Sequence, residues 1–181
     1  MKRNSIIVTI LLFVILTSCF HKGDKHIGEK VYDVNISMEK NEFVNIENTR
    51  KDYNAHSGNS FSSIDSIIQY GAGYVKKIDD SLKGYDVDIY LSAFIRELES
   101  PLEGGIAVSI FTPDGVKDWR VTAPKKNGFK PNEWCQIIDT IKYNHKLFEN
   151  PNTEIKIFSV KPKGKDFLDV DDIKIKYVFH K

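Results

Sequence analysis

Hydrophobic and polar residues alternate along most of this chain with a period of two. In the segment YDVDIYLSAFI, one face collects Tyr85, Val87, Ile89, Leu91, Ala93 and Ile95. The other face collects Asp86, Asp88, Tyr90, Ser92 and Phe94. Since successive side chains of a strand point to opposite faces of its sheet, this pattern predicts β-strands that bury one face.

The same alternation recurs in several other segments, and turn signals separate them. The alternating segments are VNISM, GGIAVSIF, WCQIIDTI, TEIKIFSV and the closing DFLDVDDIKIKYVFHK. Glycine, proline and asparagine lie between them, in KG, EGG, PDG, NG and NPN. GVKDWRV looks loop-like, and no segment has a convincing helical period. Short strands with such turns favour one all-β antiparallel sandwich, expected over residues 31–181.

The first residues predict a targeting signal that is not part of the fold. Lys2 and Arg3 precede the apolar run IIVTILLFVIL, which is too short to span a bilayer comfortably. LTSC follows, ending at Cys19, and it resembles the lipobox of bacterial lipoproteins. That resemblance implies cleavage before Cys19 and acylation of this cysteine, for example with palmitate. A plain secretory signal containing a chance cysteine is the alternative.

These features divide the chain into a signal peptide over residues 1–18, a tether over 19–30 and the sandwich domain. The tether sequence FHKGDKHIGEK is polar and has no periodicity, so it suits a solvated linker. Phe20 is not the aspartate that marks inner-membrane retention in some Gram-negative bacteria. We therefore expect a lipid-anchored protein of the cell envelope, at the outer membrane.

Charge and cysteine content exclude some classes of function. The formal net charge is +1 and no basic stripe is present, so a nucleic-acid partner is not expected. The chain has two cysteines, and Cys19 is expected to carry lipid. Cys135 then has no disulfide partner within the mature chain, and a buried, inert thiol is the simplest interpretation.

Three segments in a fixed order resemble a known family. The order along the chain is NISMEKNEF, then AHSGNSFSS, and finally FLDVDDIKI. This order resembles that of galactose-binding-like jelly-roll domains, which include many carbohydrate-binding modules. Trp134 also lies where many members have a tryptophan that opens a late strand, and we assign it to the core. The resemblance implies a jelly roll and a carbohydrate ligand.

Many members of this family hold a structural calcium ion between the first strand, the Ser-Gly loop and the last strand. The resemblance places that site at Glu39, Ser57, Gly58, Asp171 and Asp172, and carboxylates with backbone carbonyls suit Ca²⁺. Asp171 has the parity of Ile173, so it should point into the sandwich, where a carboxylate needs a partner. Alternatively, these aspartates form a solvated strand end that protects a sheet edge.

A sugar site would need aromatic rings beside polar groups. Tyr90, Phe94 and Arg96 share the face opposite the apolar one, and Trp119 in GVKDWRV is expected to line a rim. Packing of these aromatic residues in the core or under a loop is the alternative.

Catalysis is not expected. Glu97 and Glu99 share a parity and resemble the carboxylate pairs of glycosidases, but a solvated strand end explains them better. We therefore predict a non-catalytic lipoprotein that binds glycan or another surface ligand. The alternatives are a structural or protein-interaction lipoprotein with the same fold and, less favoured, a small glycan-cleaving enzyme.

Overall fold

Two antiparallel β-sheets pack face to face, as the alternating pattern predicts. The computed structural model describes residues 28–39, 49–51, 54–65, 67–97, 104–124, 129–161 and 167–181. None of these segments forms an apolar helix of membrane-spanning length. The strands are β1 (Lys30–Ile36), β2 (Thr49–Lys51), β3 (Ser60–Ile64), β4 (Tyr70–Lys77), β5 (Asp86–Glu97), β6 (Gly105–Thr112), β7 (Gly115–Thr122), β8 (Cys135–Tyr143), β9 (Glu154–Val160) and β10 (Leu168–His180). A 3₁₀ turn covers His145–Phe148.

The larger sheet has six strands, in the order β2-β3-β10-β5-β8, and β1 also pairs with β10. The long strand β10 accommodates both neighbours because β3 pairs with its first part and β1 pairs with its second part, from Ile173 to Phe179. The smaller sheet has four strands, in the order β4-β9-β6-β7. Each sheet therefore has one face toward the core and one face outward.

The apolar faces predicted from the sequence meet in the core between the sheets. Strands β5 and β10 supply one side of the core, with Val87, Ile89, Leu91, Ala93, Ile95, Ile173, Ile175, Tyr177 and Phe179 all buried. Strands β6 and β9 supply the other side, with Ile106, Val108, Ile110, Ile155 and Ile157 buried. A one-residue slip of a strand would turn its apolar face toward solvent, and burying one large apolar side chain contributes about 1.5–3 kcal/mol. This core therefore favours the observed register of both sheets.

Two features differ from the sequence expectations. GVKDWRV is not a loop but most of the edge strand β7, and charged residues along it had hidden its alternation. Trp134 is not in the core; it is half-buried on the outer face of the larger sheet. Its indole Nε1 donates to the Asn54 carbonyl at 2.9 Å, which a position between the two apolar faces would not allow.

Candidate functional site

The outer face of the larger sheet carries the polar half of the β5 alternation. Tyr90, Ser92, Phe94 and Arg96 share this face, as the sequence predicts, but their exposure differs sharply. Tyr90 is 44% exposed, whereas Arg96 is 9% exposed. The face therefore has an open end and a covered end.

A loop over residues 54–59 covers the end that contains Phe94. The His56 ring stacks on the Phe94 ring, with centroids 3.4 Å apart and planes 14° apart. Trp134 contacts the same His56 ring edge-on at 6.0 Å. Phe94 is therefore a packing surface for the loop and is not open to a ligand.

Arg96 fastens this loop to the sheet. Its Nε and Nη2 donate to one Asp169 oxygen, at 3.1 and 2.8 Å, and its Nη1 donates to the Asn54 carbonyl at 3.0 Å. The guanidinium also lies over the Trp134 and Phe61 rings, 4.6 and 5.3 Å from their centroids. Arg96 thus has structural partners on several sides and does not line the open part of the face.

Asp171 lies on the outer face, so the prediction that it points into the sandwich is wrong. Its pairing partner on β5 is Phe94, and the next paired residues along the two strands are Lys174 and Ser92. The register shift is a β-bulge, and Asp172 within it has φ 49°. Because a bulge inserts an extra residue, it inverts the parity between Asp171 and Ile173. The covering loop, not the core, buries Asp171 to 1% exposure.

The two aspartates hold the loop through three polar contacts, and a fourth joins the aspartates to each other. Asp171 Oδ2 accepts from the Ser57 amide at 3.1 Å, and its Oδ1 accepts from the Asp172 amide at 2.8 Å. Asp172 Oδ1 accepts from Ser57 Oγ at 2.8 Å, and its Oδ2 is 2.9 Å from His56 Nδ1. Loss of solvent raises the pKa of Asp171, opposed by the hydrogen bond from Ser57. Burial therefore disfavours the ionised form of Asp171.

Glu39 holds the far side of the same loop. Its Oε1 accepts from the Asn59 amide at 2.6 Å, and its side chain packs on Gly58, which has φ 62°. A Cβ atom on Gly58 would lie 2.6 Å from that Oε1, so glycine suits both the backbone and the contact. The five residues predicted as a calcium site thus meet around one loop.

His56 joins this cluster, although no pattern in the sequence predicted a role for its side chain. Among the described residues, one set of three potential metal ligands has all its donor atoms within 4.8 Å of one another: His56, Asp171 and Asp172. The position of His56 immediately before Ser57 and Gly58 is the one sequence signal that could have indicated this role.

The open end of the face is a groove of about 490 Å³ between β1, β10, β5 and β8. Tyr90 lies in the middle, with Lys176 on β10 and Thr140 on β8 directly opposite it. The next row places Lys174 and Ile138 beside Ser92. Asn35 and Gln136 add amide groups to the lining. The groove therefore combines one exposed aromatic ring with hydroxyl, amide and ammonium groups.

Trp119 lies on the outer face of the other sheet. It is 42% exposed on β7 and contacts the Phe158 ring at 5.4 Å. The outer faces of the two sheets point away from each other, so Trp119 and Tyr90 belong to different surfaces. Of the four residues predicted to bind a ligand, only Tyr90 lines the groove.

The remaining predicted residues divide between buried and undescribed parts of the chain. Glu97 is fully buried on the core side, with Oε1 3.3 Å from Lys161 Nζ, so the expectation of a solvated strand end is wrong for it. Glu99 and the lipidation residue Cys19 lie outside the described residues. Cys135 is a half-buried free thiol at the start of β8.

No protein-family model matches the sequence, and no curated protein matches it. Solved structures do match its fold. One is the CBM22-1 xylan-binding domain of Paenibacillus barcinonensis Xyn10C, at 13% identity and a TM-score of 0.51, covering 82% of this chain and 94% of that domain. The fold prediction, a jelly roll like those of carbohydrate-binding modules, is therefore confirmed.

Two further similar structures also contain such modules. One is the CBM22-1–GH10 part of xylanase 10B from Clostridium thermocellum, complexed with xylohexaose, at 17% identity and a TM-score of 0.45. It covers 82% of this chain, which spans about a quarter of that protein, 26%. The other is CBM35 from Cellvibrio japonicus Abf62, at 11% identity and a TM-score of 0.48, covering 80% of this chain and 92% of that module.

Proposed function

We propose that this domain binds carbohydrate, without catalysis, in the groove centred on Tyr90. The observation that carries the proposal is the exposed Tyr90 ring at the middle of a groove in the larger sheet. The apolar face of a pyranose ring packs on such an aromatic ring, while hydroxyl and amide groups of the protein form hydrogen bonds with the sugar hydroxyls. Ser92, Gln136 and Thr140 supply those groups from neighbouring strands.

The arrangement of carboxylates supports a binding role rather than hydrolysis. A glycosidase of the common type needs two carboxyl groups that flank one bond. Glu97 lies on the core side, away from the groove. Asp139 borders the groove, but its carboxylate accepts from Thr122 Oγ1 on β7. Asp33 is the remaining carboxylate among the described lining residues.

A glycan array tests this proposal. The full chain is compared with a Tyr90→Ala variant on the same array. Loss of a stacked ring removes roughly 1–3 kcal/mol, so binding of each recognised glycan should weaken at least several-fold in the variant. Retained fold, shown by an unchanged circular dichroism spectrum, is the control. Equal binding by both proteins contradicts the groove assignment, and an array with no bound glycan favours the protein-interaction alternative.

The acidic cluster supports a second part of the proposal, a structural Ca²⁺ ion. Glu39, Asp171 and Asp172 each accept a hydrogen bond from the same loop. Asp171 is buried without an Arg or Lys partner among the described residues. Oxygen ligands of this kind suit Ca²⁺. The ion would be held by these carboxylates together with carbonyls near Ser57 and Gly58. It would neutralise the buried charge and tie the loop to the sheet.

We further propose that acylated Cys19 anchors the protein in the outer membrane and that the segment before β1 is its tether. The support is the signal-like N-terminus that ends in LTSC. Several acyl chains on one residue would give stable anchoring, since each buried CH₂ contributes about 0.8 kcal/mol. Cells fed a labelled fatty acid should label the protein but not its Cys19→Ala variant. Equal label in both contradicts lipidation.

A further inference from the structure

Two exposed lysines line one side of the open groove. Lys174 and Lys176 are both exposed on its β10 side. They are two residues apart on one strand and therefore point to the same face. Lys176 lies opposite Tyr90 and Lys174 lies opposite Ser92. Both ammonium groups therefore border the surface on which a sugar ring would rest.

Neither lysine forms an ion pair with any residue that the structure describes. This differs from Lys142 on the same face, whose Nζ lies 3.0 Å from Asp88 Oδ2. Asp33 lies directly across from Lys176 on β1, yet no ion pair joins these two described residues. Asp139 pairs with the core-facing Leu91, and its carboxylate accepts from Thr122 Oγ1 on β7, so this charge lies on the other side of the sheet from the two lysines. On their own face, Asp33 is the one carboxylate among the described lining residues.

We infer that the groove selects acidic glycans, those whose sugar rings carry carboxylate or sulfate groups. This inference rests on the proposed carbohydrate-binding function and adds its ligand class. Tyr90 would hold the apolar face of a ring, and Lys174 and Lys176 would bind the anionic substituents beside it. Ammonium groups donate charge-assisted hydrogen bonds to such oxygens. A neutral sugar would offer the two ammonium groups no charged oxygen.

The test uses the full chain in detergent and matched pairs of polysaccharides. Polygalacturonate and alginate are titrated beside their methyl-esterified forms, which keep the chain but remove its charge, and a sulfated galactan is titrated beside unsulfated galactan. The protein variants are Lys174→Gln with Lys176→Gln, Tyr90→Ala, and Lys117→Gln as the control. Lys117 lies on the other sheet, so this change removes one charge away from the groove.

At least one acidic form should bind more tightly than its neutral counterpart. Exposed charge pairs are modest, so we expect about threefold weaker binding for each lysine replaced and about tenfold for both. The neutral forms and the Lys117→Gln variant should show no such change. Raising salt from about 0.1 M to about 1 M shortens the Debye length from about 10 Å to about 3 Å, and should weaken binding of the acidic form alone.

Three results would overturn the inference. If neutral forms bind as well as acidic ones, and Tyr90→Ala weakens both, the groove binds sugar but does not select charge. If an acidic form binds but the double lysine variant binds it equally well, the charge is recognised elsewhere. If no polysaccharide of either kind binds, the proposed function itself fails, and the inference fails with it.

Discussion

Tyr90 and Phe94 stand four residues apart on the same face of β5, and they lie in very different surroundings. Tyr90 opens onto a groove, whereas Phe94 lies beneath the His56 ring. The strand geometry is the same at both positions, since both side chains point away from the core. What separates them is the loop over residues 54–59, which reaches one end of the sheet and not the other.

Hydrogen bonds hold this loop at three places. The Asn54 carbonyl accepts from Arg96 and Trp134 at one end. Ser57 is bonded to the two aspartates of the bulge, and the Asn59 amide is bonded to Glu39. The covered end therefore supports the fold, while the open end remains accessible to a ligand.

Replacing Arg96, at the covered end of the face, should cause the largest loss of stability. Arg96→Ala leaves Asp169 buried without its cation, and breaking a buried pair in this way costs roughly 3–5 kcal/mol. Urea unfolding should show that loss in the free energy of unfolding. Lys130→Ala is the matched control, because it removes a pair with Glu133 that is exposed on both sides, and exposed pairs contribute about 1 kcal/mol or less. Similar losses in both variants would show that Arg96 does not fasten the loop.

Removing the proposed Ca²⁺ ion should have the next largest effect on stability. An ion bound only by the folded chain stabilises it by about 2.7 kcal/mol at a hundredfold excess over its dissociation constant. Chelator should therefore lower the Tm, and Ca²⁺ should restore it better than Mg²⁺, which demands a tighter octahedral shell. Asp171→Asn should remove the response, while Asp33→Asn in the groove should retain it. A Tm indifferent to chelator, with no metal found by elemental analysis, contradicts the calcium proposal.

Replacing Gly58 should have a smaller and more local effect on stability. Gly58→Ala places a Cβ atom in a left-handed conformation and against Glu39. Gly84→Ala is the control, since Gly84 has φ 75° and open space around it. The left-handed conformation costs both variants about 1–2 kcal/mol, so any additional loss in Gly58→Ala measures the contact with Glu39. Equal melting temperatures would mean that Glu39 moves aside freely.

The alternation in the sequence predicted the sandwich because burial of one strand face leaves a direct period of two. It also placed Tyr90, Phe94 and Arg96 on one outer face correctly. It failed at Asp171, because a bulge shifts parity without any periodic signal. It also failed to separate exposed Tyr90 from buried Arg96, since the loop that covers Arg96 is distant in sequence and its position depends on tertiary contacts.

The outer face of the larger sheet has a covered end that supports the fold and an open end that is the proposed binding site, and one pair of variants tests this division. Affinity for a recognised glycan and the free energy of unfolding are measured for Tyr90→Ala and Phe94→Ala. Tyr90→Ala should weaken binding by roughly 1–3 kcal/mol with little change in stability. Phe94→Ala should lose about 2 kcal/mol of stability, less than the 3–5 kcal/mol typical of a core phenylalanine, and keep its affinity. The reverse result, with Tyr90→Ala destabilised and Phe94→Ala unable to bind, would contradict the account.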